Sequence, residues 1–149
     1  MWNGIIQGRC KVTLPYQEKK ITSPYARNQL KNVRDLLDSD SLGLIATQGE
    51  ICLPILKRIY KKMKLGIEFD NIRVNDSRIV DGHHRYVCSI LSETEIGIND
   101  WPIPSTAINC NWIDVIINED DYEDVEMIRK HNIRDAELND VDISILNDL

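Results

Sequence analysis

The stretch that decides the fold is Ser77–Leu91, SRIVDGHHRYVCSIL, in which an apolar pair is followed by Asp-Gly, two histidines and an arginine. Ile79 and Val80 are typical of the end of a β-strand, and the apolar residues after Arg85 recur at helical spacing. The polar residues between them therefore lie on a turn that leads from a strand into a helix. We expect the function to lie at this turn.

The polar turn has the composition of a phosphate-binding site. A helix N-terminus offers unpaired N–H groups and a partial positive charge, and Gly82 permits a tight turn that a ligand can approach closely. Arg85 supplies a forked cation that can bind a phosphate through two hydrogen bonds. His83 and His84 are donors that add positive charge or shuttle protons near neutral pH. Three roles are open for Asp81: capping the helix, orienting a histidine or holding Mg²⁺.

A zinc site is not expected. Adjacent helical residues point about 100° apart, whereas histidine ligand pairs are commonly spaced i, i+4, which argues against joint ligation by His83 and His84. The cysteines are scattered without a C-x-x-C pair, so we expect buried thiols that pack as small hydrophobes. They are Cys10, Cys52, Cys88 and Cys110.

The composition is that of a globular protein. With 149 residues, 42% of them apolar and 28% charged, the chain can bury about two-thirds of the surface that it exposes when unfolded. No apolar run approaches the roughly 18 residues of a membrane span. The first residues lack the basic start and the long apolar core of a secretory signal. We therefore expect a cytoplasmic protein that does not contact a membrane.

The net charge of −6 is unevenly distributed along the chain. Residues 1–118 carry 15 Lys and Arg against 13 Asp and Glu, whereas residues 119–149 carry 3 against 11. We expect a nearly neutral body, 1–118, and an acidic helical extension of the same domain, 119–149. This balance disfavours tight non-specific binding to duplex DNA. The extension is suited either to docking a basic protein partner or to lying in solvent as a terminal helix.

Strand and helix patterns are mixed along the chain, which predicts an α+β fold with a small mixed sheet and flanking helices. The predicted strands are residues 5–16, two short strands joined through Asn75-Asp76, and residues 111–117. The predicted helices are residues 28–37, residues 50–65, the segment after Arg85, and a segment that begins at Asp120 and Asp121. An apolar row follows over residues 141–146.

The helix predicted over residues 50–65 is strongly basic. Its apolar face includes Cys52, and Pro54 suits the first helical turn. The cations that fall largely off the apolar face are Lys57, Arg58, Lys61, Lys62 and Lys64. Two interpretations stay open: a basic helix that contacts phosphates or an acidic partner, and a solvated lysine face.

The segment IVDGHHRYVCSIL resembles the signature of the ParB/sulfiredoxin superfamily, whose members carry a D-G-x-H-R or G-x-x-R turn after a strand. SPYAR, Ser23–Arg27, is similar to an N-P-x-x-R segment of ParB N-terminal domains, and LPIL, Leu53–Leu56, is similar to a proline-containing strand between the two motifs. The resemblance covers roughly residues 5–117. It implies a small α+β nucleotide-binding fold that holds phosphates at the N-terminus of the motif helix.

The resemblance also implies roles for individual residues. The implied phosphate contacts are four motif residues and one upstream arginine: Gly82, His83, His84, Arg85 and Arg27. The implied catalytic residues are three motif residues and a glutamate that lies where related free serine kinases keep theirs: Asp81, His83, His84 and Glu18. Asp81 is also the implied Mg²⁺ ligand.

Members of the superfamily clamp DNA under CTP control, repair oxidised cysteine with ATP, phosphorylate free serine or act as nucleases. Sulfiredoxin chemistry is not expected, because its attacking cysteine corresponds to His83. We expect a Mg²⁺-dependent phosphotransferase or nucleotide hydrolase that uses ATP, ADP or CTP and a small-molecule acceptor. Two alternatives stay open: a ParB-like nuclease or nucleic-acid-binding protein, and a non-catalytic interaction protein of the antitoxin or immunity type.

Overall fold

The computed structural model describes residues 25–149, with side chains described from Lys31 onward. The predicted strand 5–16, Cys10 and Glu18 lie outside these residues. The helices are α1 (Tyr25–Asp38), α2 (Leu53–Lys64), α3 (His83–Leu91), α4 (Val125–Asn139) and α5 (Ile143–Asn147). The strands are β1 (Glu50–Cys52), β2 (Ile72–Asn75), β3 (Arg78–Asp81), β4 (Ile98–Asp100) and β5 (Ile116–Asn118), with a 3₁₀ helix, Trp112–Asp114, before β5.

A three-stranded sheet with the order β3-β2-β4 leads into the polar turn. Strand β2 pairs antiparallel with β3, with Val74 opposite Ile79, and parallel with β4, with Ile72 opposite Ile98. The β2–β3 connection contains Asp76 at a φ of 52°, a residue type that tolerates the left-handed region. A second sheet pairs β1 with β5 in parallel. The predicted α+β class and the hairpin are confirmed.

Helix α3 lies at the centre of the core. Tyr86, Val87 and Cys88 are each at most 1% exposed, and α2 packs beside them. Complete burial of a side chain such as that of Val87 stabilises the fold by roughly 1.5–3 kcal/mol. The Cys88 thiol donates to the carbonyl of Leu56 over 3.1 Å, and its burial raises its pKa. The predicted packing role of this cysteine is confirmed.

The helix predicted over residues 50–65 is shorter than expected. Residues 50–52 pair with β5 as strand β1, so Cys52 belongs to a strand and not to the apolar face of a helix. Helix α2 begins at Leu53, with Pro54 in its first turn, where the missing N–H costs no hydrogen bond. The long-range strand pairing overrides the local helical spacing.

The strand predicted over residues 111–117 is wrong over residues 111–115. Trp112–Asp114 form a 3₁₀ helix, and the guanidinium of Arg34 donates to carbonyls of this turn and of Val115. Strand β5 follows, and its Ile116 is 60% exposed rather than buried. The hydrogen bonds from Arg34 favour a tight turn at residues for which the alternation of apolar and polar side chains predicted an extended strand.

The acidic extension forms helices α4 and α5. Helix α4 begins at Val125, later than predicted, because the carboxylate of Asp124 caps it. Leu146 of α5 packs with Ala136 of α4 and with Ile67, so the apolar row contributes to a small second core. Neither these helices nor any other in residues 25–149 has the length and apolar character needed to cross a membrane.

Candidate functional site

Gly82 makes the sharp turn between β3 and α3. Its φ of 107° lies in the left-handed region that residues with a Cβ rarely adopt. A Cβ at this position would lie 2.5 Å from Cγ2 of Ile72 and 2.9 Å from its Cβ. The turn therefore requires glycine both for its backbone conformation and for the close approach of β2.

The first turn of α3 presents unpaired backbone donors. The N–H groups of His83, His84 and Arg85 donate to no described residue, and the first intrahelical bond runs from the Tyr86 N–H to the Gly82 carbonyl over 2.9 Å. No described side chain caps the helix, so the capping role that was open for the preceding aspartate is excluded. The free N–H groups and the helix dipole favour an anion at this end of α3.

Arg85 lies beside this helix start. Its Nη2 donates to Oδ2 of Asp81 over 3.1 Å, and its Nη1 donates to the carbonyl of Asp70 over 3.1 Å. The guanidinium is so close to Gly82 that a Cβ there would lie 3.0 Å from Nη2. The Asp81 side chain is 57% exposed. An anion that enters from solvent can therefore compete with Asp81 for the guanidinium.

His83 links α3 to the segment before β1. The residue is 3% exposed, and its Nε2 accepts a hydrogen bond from the backbone N–H of Thr47 over 3.0 Å. Its ring packs against that of Trp112, with the centroids 6.2 Å apart. Burial lowers the pKa of His83 to about 4.

His84 links α3 to β1 in the same way. Its Nε2 accepts from the backbone N–H of Cys52 over 2.9 Å, and burial lowers its pKa to about 4. Because a backbone N–H can only donate, the imidazoles of His83 and His84 are neutral and carry their proton on Nδ1. The prediction that they add positive charge or shuttle protons near neutral pH is therefore wrong. A neutral Nδ1–H can still donate to an anion.

A cavity of about 480 Å³ opens at this turn, and it is lined by cations and carboxylates in nearly equal number. The cations are Arg58, Lys62, Arg73, Arg85 and Arg134, and the carboxylates are Asp70, Asp81, Glu123 and Asp135. Four of the cations pair with one of these carboxylates. The exception is Arg73, which stacks over Trp101 at 4.0 Å from the ring centroid. The cavity thus offers Arg85 and Arg134, whose exposed carboxylate partners an anion can replace.

The acidic extension supplies one side of the cavity. Arg58 binds both oxygens of Asp121 and one oxygen of Glu123, each at 2.8 Å, and Lys62 binds Asp135 at 2.7 Å. The hydrogen bond from Arg58 holds the pKa of Asp121 below its ordinary value. The sequence left open whether the basic helix contacts phosphates or an acidic partner, or lies in solvent. Arg58 and Lys62 contact an acidic partner, which is the extension of the same chain.

Mg²⁺ is the metal that the sequence predicts at this site. Residues 25–149 contain no group of three or more histidine, cysteine or acidic side chains that could hold a metal ion by themselves. Mg²⁺ at nucleotide sites needs only one or two carboxylates, because phosphates and water complete its shell. Asp81 fits this role, since its carboxylate is largely exposed at the cavity and described residues engage only its Oδ2.

The structure brings the motif residues 81–85 together at one cavity wall. Glu18 lies outside the described residues, and Arg27 lies in α1 with its side chain not described. Several cavity residues carry no local sequence signal: Asp70, Arg73, Glu123, His131 and Arg134. They reach the site through pairing and packing of segments that are distant along the chain.

Comparisons of the chain with protein-family models, with curated proteins and with solved structures found no match. The ParB/sulfiredoxin resemblance therefore stays a prediction that depends on the DGHHR motif. The site is defined by its chemistry alone: a polar cavity at a helix N-terminus, lined by several cations and carboxylates.

Proposed function

We propose that the chain is a nucleotide-binding protein of the ParB/sulfiredoxin type, and that it is a Mg²⁺-dependent phosphotransferase or nucleotide hydrolase acting on a small acceptor. One observation carries the proposal. Residues 83–85, whose N–H groups donate to no described residue and which include the guanidinium of Arg85, line a single cavity beside Gly82. Donors of these two kinds are the groups that bind phosphates in proteins.

The size and the charge of the cavity support a nucleotide. Its volume of about 480 Å³ falls within the range of small-molecule sites. Arg73 and the exposed Arg134 line the same cavity as the α3 start, so a di- or triphosphate would meet further cations along its length. A single inorganic phosphate would leave most of this volume unfilled.

The Arg85–Asp81 pair can bind both parts of a Mg²⁺–nucleotide complex, with Arg85 binding a phosphate and Asp81 binding the metal ion. A phosphate that binds Arg85 releases the carboxylate of Asp81 at the cavity wall, so both charges of the pair regain a partner of opposite sign. When bound, Mg²⁺ supplies positive charge that neutralises the phosphates, and Asp81 is the residue that would hold it. We therefore expect nucleotide affinity to rise when Mg²⁺ is present.

Isothermal titration calorimetry with ATP, ADP and CTP, each with and without Mg²⁺, tests the proposal. We expect Arg85→Ala to weaken binding about 10- to 100-fold, because hydrogen bonds to charged groups contribute roughly 1.5–3 kcal/mol. Arg85→Lys should recover only part of the affinity, since an ammonium lacks the two-pronged geometry. The matched control is Arg129→Ala, because Arg129 is exposed, pairs with Glu126 and does not line the cavity.

Two results would contradict the proposal. One is an Arg85→Ala protein that keeps wild-type affinity while its circular dichroism shows an intact fold. The other is a wild-type protein that binds none of the three nucleotides in either condition. A thermal-shift screen against the same nucleotides gives an independent check, because a ligand that binds only the native state raises the melting temperature.

The alternative functions draw less support from the described residues. A basic helix that tracks a nucleic-acid backbone needs an exposed row of cations, but Arg58 and Lys62, two of the five cations of α2, are mostly buried in ion pairs with carboxylates of the same chain. Three of the eleven carboxylates of the extension, Asp121, Glu123 and Asp135, hold those cations, which leaves fewer carboxylates to dock a basic partner. Gel shifts over a salt series separate these functions, since phosphate-backbone binding is strongest at low salt.

A further inference from the structure

We propose that His131 is the general base of the phosphoryl transfer and that Glu123 positions it; this inference rests on the proposed function. Nδ1 of His131 lies 3.1 Å from Oε2 of Glu123, a hydrogen-bonding distance. Both residues line the cavity of about 480 Å³ into which the start of α3 opens. A histidine held by a carboxylate is a recurrent arrangement for proton abstraction.

Glu123 is held through both of its carboxylate oxygens. Its side chain is 11% exposed, Oε1 accepts from Nη2 of Arg58 over 2.8 Å, and Oε2 faces His131. The backbone N–H of Glu123 also donates to Oδ1 of Asp121 over 3.0 Å. A carboxylate fixed in this way accepts the Nδ1–H of His131 and leaves Nε2 as the nitrogen with a free lone pair.

The other two histidines of the chain cannot take this role. Nε2 of His83 accepts from the Thr47 N–H, and Nε2 of His84 accepts from the Cys52 N–H, so both lone pairs are occupied. Nε2 of His131 accepts from no described residue. The His131 side chain is 53% exposed, so a substrate can reach it.

The Glu123–His131 pair lies near the phosphate-binding turn. The charge of Glu123 acts on His84 in the first turn of α3, where it raises the pKa of His84 against the larger effect of burial. Gly82 and Arg85 line the same cavity as the pair. A nucleotide whose terminal phosphate is bound at the α3 start therefore occupies a cavity that His131 also lines.

The proposed step transfers the terminal phosphoryl group to a hydroxyl group of the acceptor or to water. The acceptor oxygen forms a bond to the terminal phosphorus, and its proton moves to Nε2 of His131. The bond between that phosphorus and the bridging oxygen breaks, and the electron pair leaves with the shortened nucleotide. Glu123 stabilises the imidazolium that results, which then returns its proton to solvent.

The test compares three full-length variants with the wild type: His131→Ala, Glu123→Gln and the control Arg129→Ala. The probe is the Mg²⁺ complex of whichever of ATP, ADP and CTP binds in the calorimetric screen. We expect His131→Ala to keep its nucleotide affinity and to lose about 10²–10⁴-fold in kcat, measured as phosphate release or as transfer to hydroxyl compounds. Added imidazole should restore part of that activity. Glu123→Gln should lower kcat at saturating nucleotide by about tenfold or more.

The possible failures are distinguishable. A His131→Ala protein that binds nucleotide and reacts at the wild-type rate would overturn the role of His131 and leave nucleotide binding intact. A loss of activity that imidazole does not reverse would overturn that role as well. A wild-type protein that binds nucleotide but catalyses neither hydrolysis nor transfer would contradict the catalytic part of the proposed function together with the role of His131, and would leave nucleotide binding intact. A wild-type protein that binds no nucleotide contradicts the proposed function itself.

Discussion

The backbone N–H of Cys52 donates to Nε2 of His84 over 2.9 Å, which links the last residue of β1 to the first turn of α3. The Thr47 N–H makes the equivalent bond to His83 over 3.0 Å. The two adjacent histidines therefore satisfy backbone donors that the folded core removes from water. Their neutral state is a condition of the fold, whatever the cavity beside them binds.

Acid should destabilise the protein through these two histidines. Burial lowers both pKa values from 6.5 to about 4, so the unfolded chain takes up protons first as the pH falls. Their stabilising contribution is complete above pH 6.5 and is lost as the pH falls towards about 4, by at most roughly 3 kcal/mol per histidine. Urea unfolding at a series of pH values measures this loss.

His83→Gln is the control for the acid effect. Glutamine keeps an acceptor for the Thr47 N–H but does not titrate, so the loss of stability between pH 6.5 and 4 should fall by about half. Asp121 affects the stability at lower pH than the histidines do. Because Arg58 lowers the pKa of Asp121, the stabilisation by this carboxylate is present above pH 3.8 and is lost at still lower pH. An unchanged slope in His83→Gln would show that other groups cause the effect.

Gly82→Ala should destabilise the protein by roughly 3 kcal/mol or more, since it combines a left-handed backbone with a 2.5 Å contact to Ile72. Gly66 has a φ of 91° but no atom within 4 Å of an added Cβ, so Gly66→Ala measures backbone strain alone, about 1–2 kcal/mol. Gly49 has neither feature, and Gly49→Ala should be nearly neutral. Equal urea midpoints for the alanine variants at 82 and 66 would argue against the close approach of β2.

Lys62→Met should cost about 3 kcal/mol or more, because it leaves Asp135 charged in a poorly hydrated site. The two side chains are 6% and 13% exposed. The double variant Lys62→Met/Asp135→Leu should recover most of the loss, since removing both charges of a buried pair is often nearly neutral. Lys31→Met removes an exposed ion pair and should cost under about 1 kcal/mol. Similar urea unfolding free energies for Lys62→Met and Lys31→Met would refute the prediction.

Arg34→Met should destabilise the protein by roughly 2 kcal/mol, because Arg34 donates to three carbonyls between residues 112 and 115. Arg34→Lys should recover less than half of this loss, since an ammonium cannot reproduce the forked geometry. Lys31→Met, in the same helix, again serves as the control. Thermal unfolding followed by tryptophan fluorescence reports the change. A lysine variant as stable as the wild type would contradict the importance of the fork.

The local part of the site could be predicted because consecutive residues encode it. The apolar pair before Asp81, the glycine and the helical spacing after Arg85 place the turn between a strand and a helix. The direction of the imidazoles could not be predicted. It depends on the N–H groups of Thr47 and Cys52, which lie 36 and 32 residues before the histidines that they contact.

The opposite walls of the cavity could not be predicted, because their contacts span long stretches of sequence. The charge pattern identified a basic helix and an acidic extension separately, yet Arg58 binds Asp121 across 63 residues and Lys62 binds Asp135 across 73. Strand β1 has only three residues, so its alternation is too short to distinguish it from the helix that follows. This segment is a strand because it pairs with β5.

The ion pairs of Arg58 and Lys62 also determine an order of events during translation. A chain emerges from the ribosome N-terminus first, so these cations appear 63 and 73 residues before the carboxylates that neutralise them. In the growing chain this face of α2 stays hydrated, and Lys62 leaves water only when α4 docks. The cavity therefore cannot be completed before α4 has been synthesised, and no nascent intermediate that lacks α4 presents a finished pocket to a nucleotide.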